Sequence, residues 1–439
     1  MAAPGLVIAA PASGSGKTLL TLGLLAHLSQ RGIRVASAKV GPDYIDPAFH
    51  AAATGAPCVN LDAWGMRPDS LDGLVGQVSD GADLVVCEGV MGLFDGAATA
   101  DGSTTGATAD LAARTGWPVV LVIDARGMAS SAAAVLQGFA RFRPDVRVAG
   151  VVFNRVGGEK HRRVIAQACA RACPEVEVLG FLPRVEALVV PSRHLGLVQA
   201  CEHPDLGAFF HKAAAAVGEH VAVERLMALA QVSALGQDKA APVLLPPLGQ
   251  RIAVARDDAF AFAYPAILDG WRRAGAEITL FSPLADQAPD GDAVYLPGGY
   301  PELHAGRLAA NARFLDGLRG LAAAGAPVFG ECGGYMSLGR TLTDSEGVSH
   351  ALAGLLPLDT SFAQRRLHLG YRQARLLADT PLGPAGTLLR GHEFHYATVA
   401  SEAGAPLLAV TDAAGADLGQ CGLSCGSVFA SFVHLIDRV

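Results

Sequence analysis

The chain has 439 residues, 51% of them hydrophobic and only 6% aromatic, with 41 acidic against 34 basic side chains and a net charge of -7. That length exceeds what one hydrophobic core usually supports, so at least two domains are expected, and the abundance of Ala and Gly suits closely packed α/β layers. The acidic balance, without any Lys/Arg run, argues against a nucleic-acid partner held through phosphates. No apolar run reaches the roughly 18–20 residues of a membrane span and no charged leader opens the chain, which points to a cytoplasmic protein working on small molecules.

From residue 1 to about 185, apolar β-branched runs alternate with Ala/Leu-rich stretches: "GLVIAA", "IRVASAKV", "ADLVVCEG", "WPVVLVID", "VAGVVFN" and "VEVLGFLP". Continuous apolar runs between helices read as strands buried on both faces, hence a parallel sheet. An Ala-rich helical stretch around 208–235 leads into "GQDKAAPVLLPPLGQ", polar and then proline-rich, which reads as a linker. A second α/β series follows, with "RIAVARD", "AEITLFS", "DAVYLPGG" and "APVFGECGG". The expectation is α/β throughout, in two tandem domains: a P-loop parallel-sheet domain at 1–235, a linker at 236–250 and a second sheet domain at 251–439. The eight cysteines are scattered, and the C-x3-C pairs Cys169/Cys173 and Cys421/Cys425 have neither disulfide-framework nor zinc-knuckle spacing.

The first motif is "PASGSGKT", after the first strand and before the helical "TLLTLGLLAHLSQRG". Gly14 and Gly16 let the backbone approach an anion, Lys17 supplies a point charge, and Thr18 is placed to ligate Mg2+ beside a phosphate. Pro11 stands where the usual pattern has its first Gly, so the match is degenerate. Ala12 stands where partition and division-site ATPases carry an extra lysine, which disfavours a switch-like, partner-binding ATPase. Further on, "KVGPDYIDPAFH" offers Lys39, Asp43, Asp46 and His50, and "CEGVMGLFDG" offers Glu88 and Asp95, all at strand ends where ligands of open sheets bind. Acids beside a phosphate loop suit Mg2+, although each read singly is also an ordinary turn or cap residue.

The second motif is Gly330-Glu331-Cys332-Gly333-Gly334, a cysteine version of the nucleophile elbow. The following helix N-terminus is expected to favour the thiolate. "YLPGGYPE" provides a glycine turn whose Gly299 N–H, with that of Gly333, would face a developing oxyanion. His434 in "FASFVHLIDRV" is the candidate proton carrier. "RGHEFHY" places His392, Glu393 and His395 on an expected strand without H-E-x-x-H spacing, so a structural or interface role is preferred over zinc.

The strings "KVGPDYIDPAFH", "EGVMGLFDG", "DARGMASSAAAVLQGF" and "PSRHLGL" resemble the cobyrinic acid and hydrogenobyrinic acid a,c-diamide synthase family, whose amide-forming domain is similar to dethiobiotin synthetase. "ARDDAFAFAYP", "LPGGYPEL", "GECGG" and "GHEFHY" resemble class I glutamine amidotransferases of the cobyrinic and cobyric acid synthase type, with a flavodoxin-like fold. The resemblance runs over essentially the whole chain. It implies that Ser13, Gly14, Ser15, Gly16, Lys17 and Thr18 bind the ATP phosphates, that Thr18 and Glu88 reach Mg2+, and that Asn154 contacts adenine. Asp43, Tyr44, Asp46 and Asp95 would lie around the reacting carboxylate. Cys332 and His434 would release ammonia from L-glutamine.

The tetrapyrrole substrate implied is hydrogenobyrinic or cobyrinic acid, and a homodimer stays open. One departure stands out: triad amidotransferases carry Glu two positions after the catalytic His, where this chain has Ile436, leaving Asp437 as a candidate orienter without support. Competing readings are amidation of a nickel sirohydrochlorin, cobyric acid synthesis, and a nucleotide-switched interaction protein.

Overall fold

The structure is a computed structural model that describes residues 2–100, 102, 104–184, 192–193, 196–197, 205–236 and 240–439. Residues 191, 194 and 195 of the "PSRHLGL" string and residues 237–239 of the expected linker lie outside the described residues. The described chain forms two compact units: one of 1–64, 71–96 and 103–241, and one of 65–70, 97–102 and 242–439. Among the described residues no helix is long and apolar enough to cross a membrane.

The first unit is an eight-stranded sheet. Its strands are β1 (Pro4–Ala9), β2 (Val35–Val40), β3 (Val59–Leu61), β4 (Leu84–Glu88), β5 (Val119–Asp124), β6 (Val148–Val156) and β7 (Glu177–Pro183), in the order β3-β2-β4-β1-β5-β6-β7 and all parallel. An eighth, two-residue strand, Gln231–Val232, runs antiparallel to the start of β1. The six sequence runs all become strands. The runs are Val-rich because both faces are covered, and β5 is buried from Val119 to Ile123. Sequence reading passed over β3 and Gln231–Val232, which are too short to show a period.

Helix α1 (Lys17–Gln30) is apolar nearly all round; Leu20, Leu22, Leu24, Leu25 and Leu28 are fully buried, each contributing about 2 kcal/mol of burial. Its neighbour Leu206–His220 crosses at Gly23, where a Cβ would come within 2.8 Å of the Ala213 carbonyl. The Ala-rich stretch expected around 208–235 thus resolves into this helix, a short helix Val223–Leu229 and the edge strand.

The second unit begins with five parallel strands in the order Glu277–Phe281, Arg251–Ala255, Ala293–Leu296, Val328–Glu331, Val428–Ser431. In chain order this is 2-1-3-4-5, the flavodoxin-like arrangement. Five antiparallel strands extend the sheet to ten: Asp417–Cys425, Ala405–Thr411, His368–Leu376, Leu388–His395 and His434–Arg438. A separate four-stranded sheet is built from 341–343, 349–351, 358–361 and 398–402. Beneath the parallel part, Val294, Leu296, Phe314, Leu318, Val328 and Tyr335 belong to one buried cluster.

Candidate functional sites

In the first unit every sequence candidate lies at or just beyond the carboxyl end of a parallel strand. The order reverses beside β1, the position where open sheets hold ligands. The phosphate loop needs its glycines: Gly14 has φ +75 and Gly16 φ +106, a region that L side chains avoid. Ser15 Oγ donates to the Ala12 carbonyl at 2.8 Å, and Ser13 and Gly14 stay exposed at the mouth.

Asn154, from β6, packs against Gly16 and donates Nδ2 to the Ser15 carbonyl at 3.0 Å, so its amide holds the loop. Arg155, at φ +59, donates Nη1 to the Gly14 carbonyl at 2.9 Å and to Asp124 Oδ2 at 2.6 Å. Sequence reasoning did not single out Arg155.

Lys17 is buried and reaches across the mouth to the Met91 carbonyl at 2.5 Å; burial holds its ammonium below the usual range, while Glu88, Asp46 and Asp95 pull it up. Met91 is exposed and has φ +48, and Gly92 N donates to Asp95 Oδ2 at 2.9 Å, closing the turn that presents this carbonyl. One oxygen of Asp95 is therefore engaged as a turn residue.

Glu88 is the hub. Thr18 Oγ1 donates to its Oε1 at 2.6 Å, Lys39 Nζ lies 3.3 Å from the same oxygen, and His50 Nε2 is 2.7 Å from Oε2. Cys58 Sγ stands 3.4 Å from His50 Nδ1. Glu88 is fully buried, which alone would raise its carboxyl; Lys39 and the His50 and Thr18 hydrogen bonds hold it well below the carboxylate range. Burial and nearby Asp43 push the Asp46 carboxyl up to about 7, against its 2.6 Å pair with Lys39.

Asp43 Oδ1 accepts from Ile45 N and Asp46 N, opening helix α2 (Ile45–Thr54) at Tyr44. Asn60, on the unforeseen β3, donates to the Gly41 and Asp43 carbonyls and fixes that loop. The donor set of a hydroxyl and a carboxylate oxygen beside a phosphate loop fits Mg2+, which takes one or two protein oxygens and completes its shell with phosphate and water. Among the described residues no group of three or more His, Cys, Asp or Glu is arranged to hold a metal on its own.

In the second unit Cys332 occupies the turn from strand Val328–Glu331 to helix Gly333–Leu338 with φ +47 and ψ -98. The flanking glycines follow from close packing: a Cβ on Gly330 would meet Leu338 at 2.7 Å, and one on Gly334 would meet the Leu296 side chain at 2.8 Å. A Cβ on Gly298 would lie 3.2 Å from His434 Nε2 and 3.4 Å from Cys332 Cβ, so the two candidate groups converge on one point. A Cβ on Gly333 would lie 3.0 Å from Gly299 N, which puts the two expected oxyanion donors side by side.

The thiolate expected from the helix N-terminus is overruled. The helix has six residues, and burial, with Glu302 nearby, pushes the Cys332 thiol up while only the Gly333 N–H opposes it. Burial first, then His392 and His395, holds His434 well below its usual value, so the imidazole is neutral. His392 pairs with His434 across the strands, with ring centroids 4.9 Å apart. Glu393 bonds Arg372 at 2.6 Å and His395 at 3.3 Å.

Asp437 does not orient His434. It is fully buried and accepts from Arg67 N at 2.9 Å and from the Arg67 guanidinium at 2.9–3.2 Å. The strand that carries it bulges at Ile436, where the register with Leu388–His395 shifts.

Known families coincide with these two sites. Residues 6–198 match the CobQ/CobB/MinD/ParA nucleotide binding domain, and residues 251–438 match the CobB/CobQ-like glutamine amidotransferase domain. Over 437 residues the chain is 52% identical to hydrogenobyrinate a,c-diamide synthase of Brucella anthropi, covering 99% of this chain and 98% of that protein. It is 54% identical over 434 residues to the protein of that name from Rhodobacter capsulatus, with 98% of each covered, and 52% identical over 437 residues to that of Rhizobium meliloti, with 99% of each covered. A phosphate loop closed on Glu88 and a cysteine elbow facing His434, carried together over the full length of such relatives, place this chain in the hydrogenobyrinate a,c-diamide synthase family.

Proposed function

We propose that the protein amidates the a and c acetate side chains of hydrogenobyrinic or cobyrinic acid, using ATP and L-glutamine, as a cytoplasmic enzyme of cobalamin synthesis. The functional halves are 1–235 and 251–439, joined by 236–250. The observation that carries the reading is the pairing on one chain of an ionic phosphate site, Lys17 with Thr18 and Glu88, and a buried cysteine beside a neutral histidine. Displacing oxide from a carboxylate is poor chemistry, and phosphoryl transfer turns it into a leaving group.

In the first half, residues 13–18 cradle the phosphates and Lys17 follows the moving charge. Thr18 and Glu88 would hold Mg2+, which when bound neutralises phosphate oxygens. Asp43, Tyr44, Asp46 and Asp95 surround the substrate carboxylate, which takes the γ-phosphoryl group as an acyl phosphate. Ammonia then attacks the acyl carbon and phosphate leaves.

In the second half, Cys332 Sγ attacks the glutamine amide carbon while His434 Nε2 takes the thiol proton and passes it to the departing ammonia. Gly299 and Gly333 N–H groups meet the oxyanion, and water hydrolyses the thioester to glutamate. Incubation with ATP, Mg2+, glutamine and hydrogenobyrinic acid should convert two carboxyls to carboxamides, read by mass spectrometry. An active glutaminase that leaves the tetrapyrrole mass unchanged rejects the substrate assignment. Cys332→Ala should lose glutamine-dependent amidation and keep the ammonia-dependent reaction, whereas Lys17→Ala should lose both.

A further inference from the structure

The residue before the nucleophile is an unusual choice for its surroundings. Glu331 is 1% exposed, ends an inner strand of the parallel sheet, and among the described residues is hydrogen-bonded to a tyrosine hydroxyl and a backbone N–H rather than to a basic side chain. A buried carboxyl without hydrogen bonds is costly, so its partners show what retains it. Tyr295 Oη donates to Oε2 at 2.5 Å, and the backbone N–H of Leu435 donates to Oε1 at 2.8 Å. Tyr295 is opposite Phe329 in the parallel register, and Glu331, two residues on, shares that face.

The three positions so joined are the ones the glutaminase needs. Tyr295 lies on the strand that runs into Gly298 and Gly299, Glu331 is bonded covalently to Cys332, and Leu435 is the neighbour of His434. The strand His434–Arg438 has no ladder with Val328–Glu331; in the sheet order five other strands stand between them. The Glu331–Leu435 hydrogen bond is a direct tie across that gap. We infer that Glu331 is a positioning residue of the glutaminase, its carboxyl fixing the oxyanion turn, the cysteine elbow and the start of the histidine strand in one frame. The inference rests on the assignment of Cys332 and His434 as the glutaminase pair.

The geometry distinguishes a tie from mere filling of space. In Glu331→Gln the amide carbonyl keeps the Leu435 N–H, and the amide NH2 donates to the Tyr295 hydroxyl, whose proton turns away. In Glu331→Ala both ties are lost. The test measures glutamine-dependent and ammonia-dependent amidation by both variants, with kcat and KM for glutamine separated.

Expected is a roughly 10- to 100-fold fall of glutamine kcat in Glu331→Ala at unchanged KM, with ammonia-dependent amidation kept and glutamine kcat restored in Glu331→Gln to within about threefold of the parent. Wild-type kcat in Glu331→Ala, a parallel loss of both reactions, or equal impairment of the two variants overturns the inference. If Glu331→Ala does not fold, Tyr295→Phe takes its place: a several-fold lower glutamine kcat at unchanged KM supports the tie, and parental kcat overturns it. Cys332→Ala separates the two levels: glutaminase surviving in that variant refutes the site itself, whereas its loss there beside an unimpaired Glu331→Ala refutes only the positioning role.

Discussion

Glu331 also makes a thermodynamic prediction that needs no substrate. Burial raises its carboxyl from 4.5 to about 7, against the Tyr295 and Leu435 hydrogen bonds that favour the charged form. Between these values the folded protein binds a proton at Glu331 that the unfolded chain does not. Stability from this group is therefore greatest at low pH, falls as pH rises from about 4.5 through about 7, and is flat above. The full gap is worth about 3 kcal/mol at roughly 1.36 kcal/mol per pH unit, and about 2 kcal/mol of it lies between about pH 5.5 and about pH 8.

Glu331→Gln carries no titrating group there and removes that slope; the groups its charge acts on, Tyr295 and Cys332, are both held above this pH range. The assay is urea unfolding of both at the two pH values, followed by tryptophan fluorescence; Trp271 stands edge-on to Tyr295 at 5.5 Å and reports this region. The parent should lose about 2 kcal/mol relative to the variant on going to the higher pH. A stability difference between the two that is the same at both pH values, or that opens in the opposite direction, refutes the argument from burial.

Gly16→Ala places a Cβ against the Asn154 side chain at φ +106, so nucleotide binding and both glutamine- and ammonia-dependent synthesis should collapse while the glutaminase of the other half persists; nucleotide titration and the two synthesis assays check this. Arg67→Ala leaves the buried Asp437 carboxylate without its cation. Because Arg67 is 36% exposed the cost is discounted from that of a fully buried pair to about 2 kcal/mol, read as a lower urea midpoint, with Asp437→Asn partly restoring the double variant.

Both sheets could be read where sequence carries a strong periodic or compositional signal. Strands buried on both faces must be apolar without interruption, and "VVLVID" or "RIAVA" admit few other readings. The elbow was equally plain, because Gly330 and Gly334 are demanded by contacts that leave no room for a Cβ. The antiparallel half of the second sheet is not legible in the same way, since strands such as His368–Leu376, with intermediate burial along most of their length, lack a continuous apolar run.

In the phosphate site, the acids announced themselves as side chains, but the Met91 carbonyl that Lys17 meets is backbone and leaves no residue signature beyond its glycine-rich surroundings. Arg155 and Asn60 act on loops more than a hundred and about twenty residues away in sequence, respectively. Asp437 suggests itself for His434 because the two are close in sequence. Its partner Arg67 stands 370 positions away, a separation at which local reading has no purchase.

The electrostatics of the two sites follow from what each must move. Phosphoryl transfer relocates formal negative charge, and the first site is accordingly ionic: Lys39 makes short contacts with Asp46 and Glu88, and Lys17, bonded to the Met91 carbonyl, feels the same two acids through space. The glutaminase starts from a neutral amide, and its resting groups are neutral as well, a thiol raised by burial and an imidazole lowered by it. A standing thiolate–imidazolium pair at these buried positions would carry the cost of desolvated charge; in the proposed mechanism a neutral pair separates charge only as the thiol attacks, when the Gly299 and Gly333 N–H groups would meet an oxyanion. In the proposed mechanism His434 then acts as a base during attack and needs no carboxylate behind it to stabilise a standing imidazolium. Ile436 is then tolerated at the position where triad enzymes keep an acid, provided the ring is held in place by its frame: His392 stacked against it and Leu435 tied to Glu331.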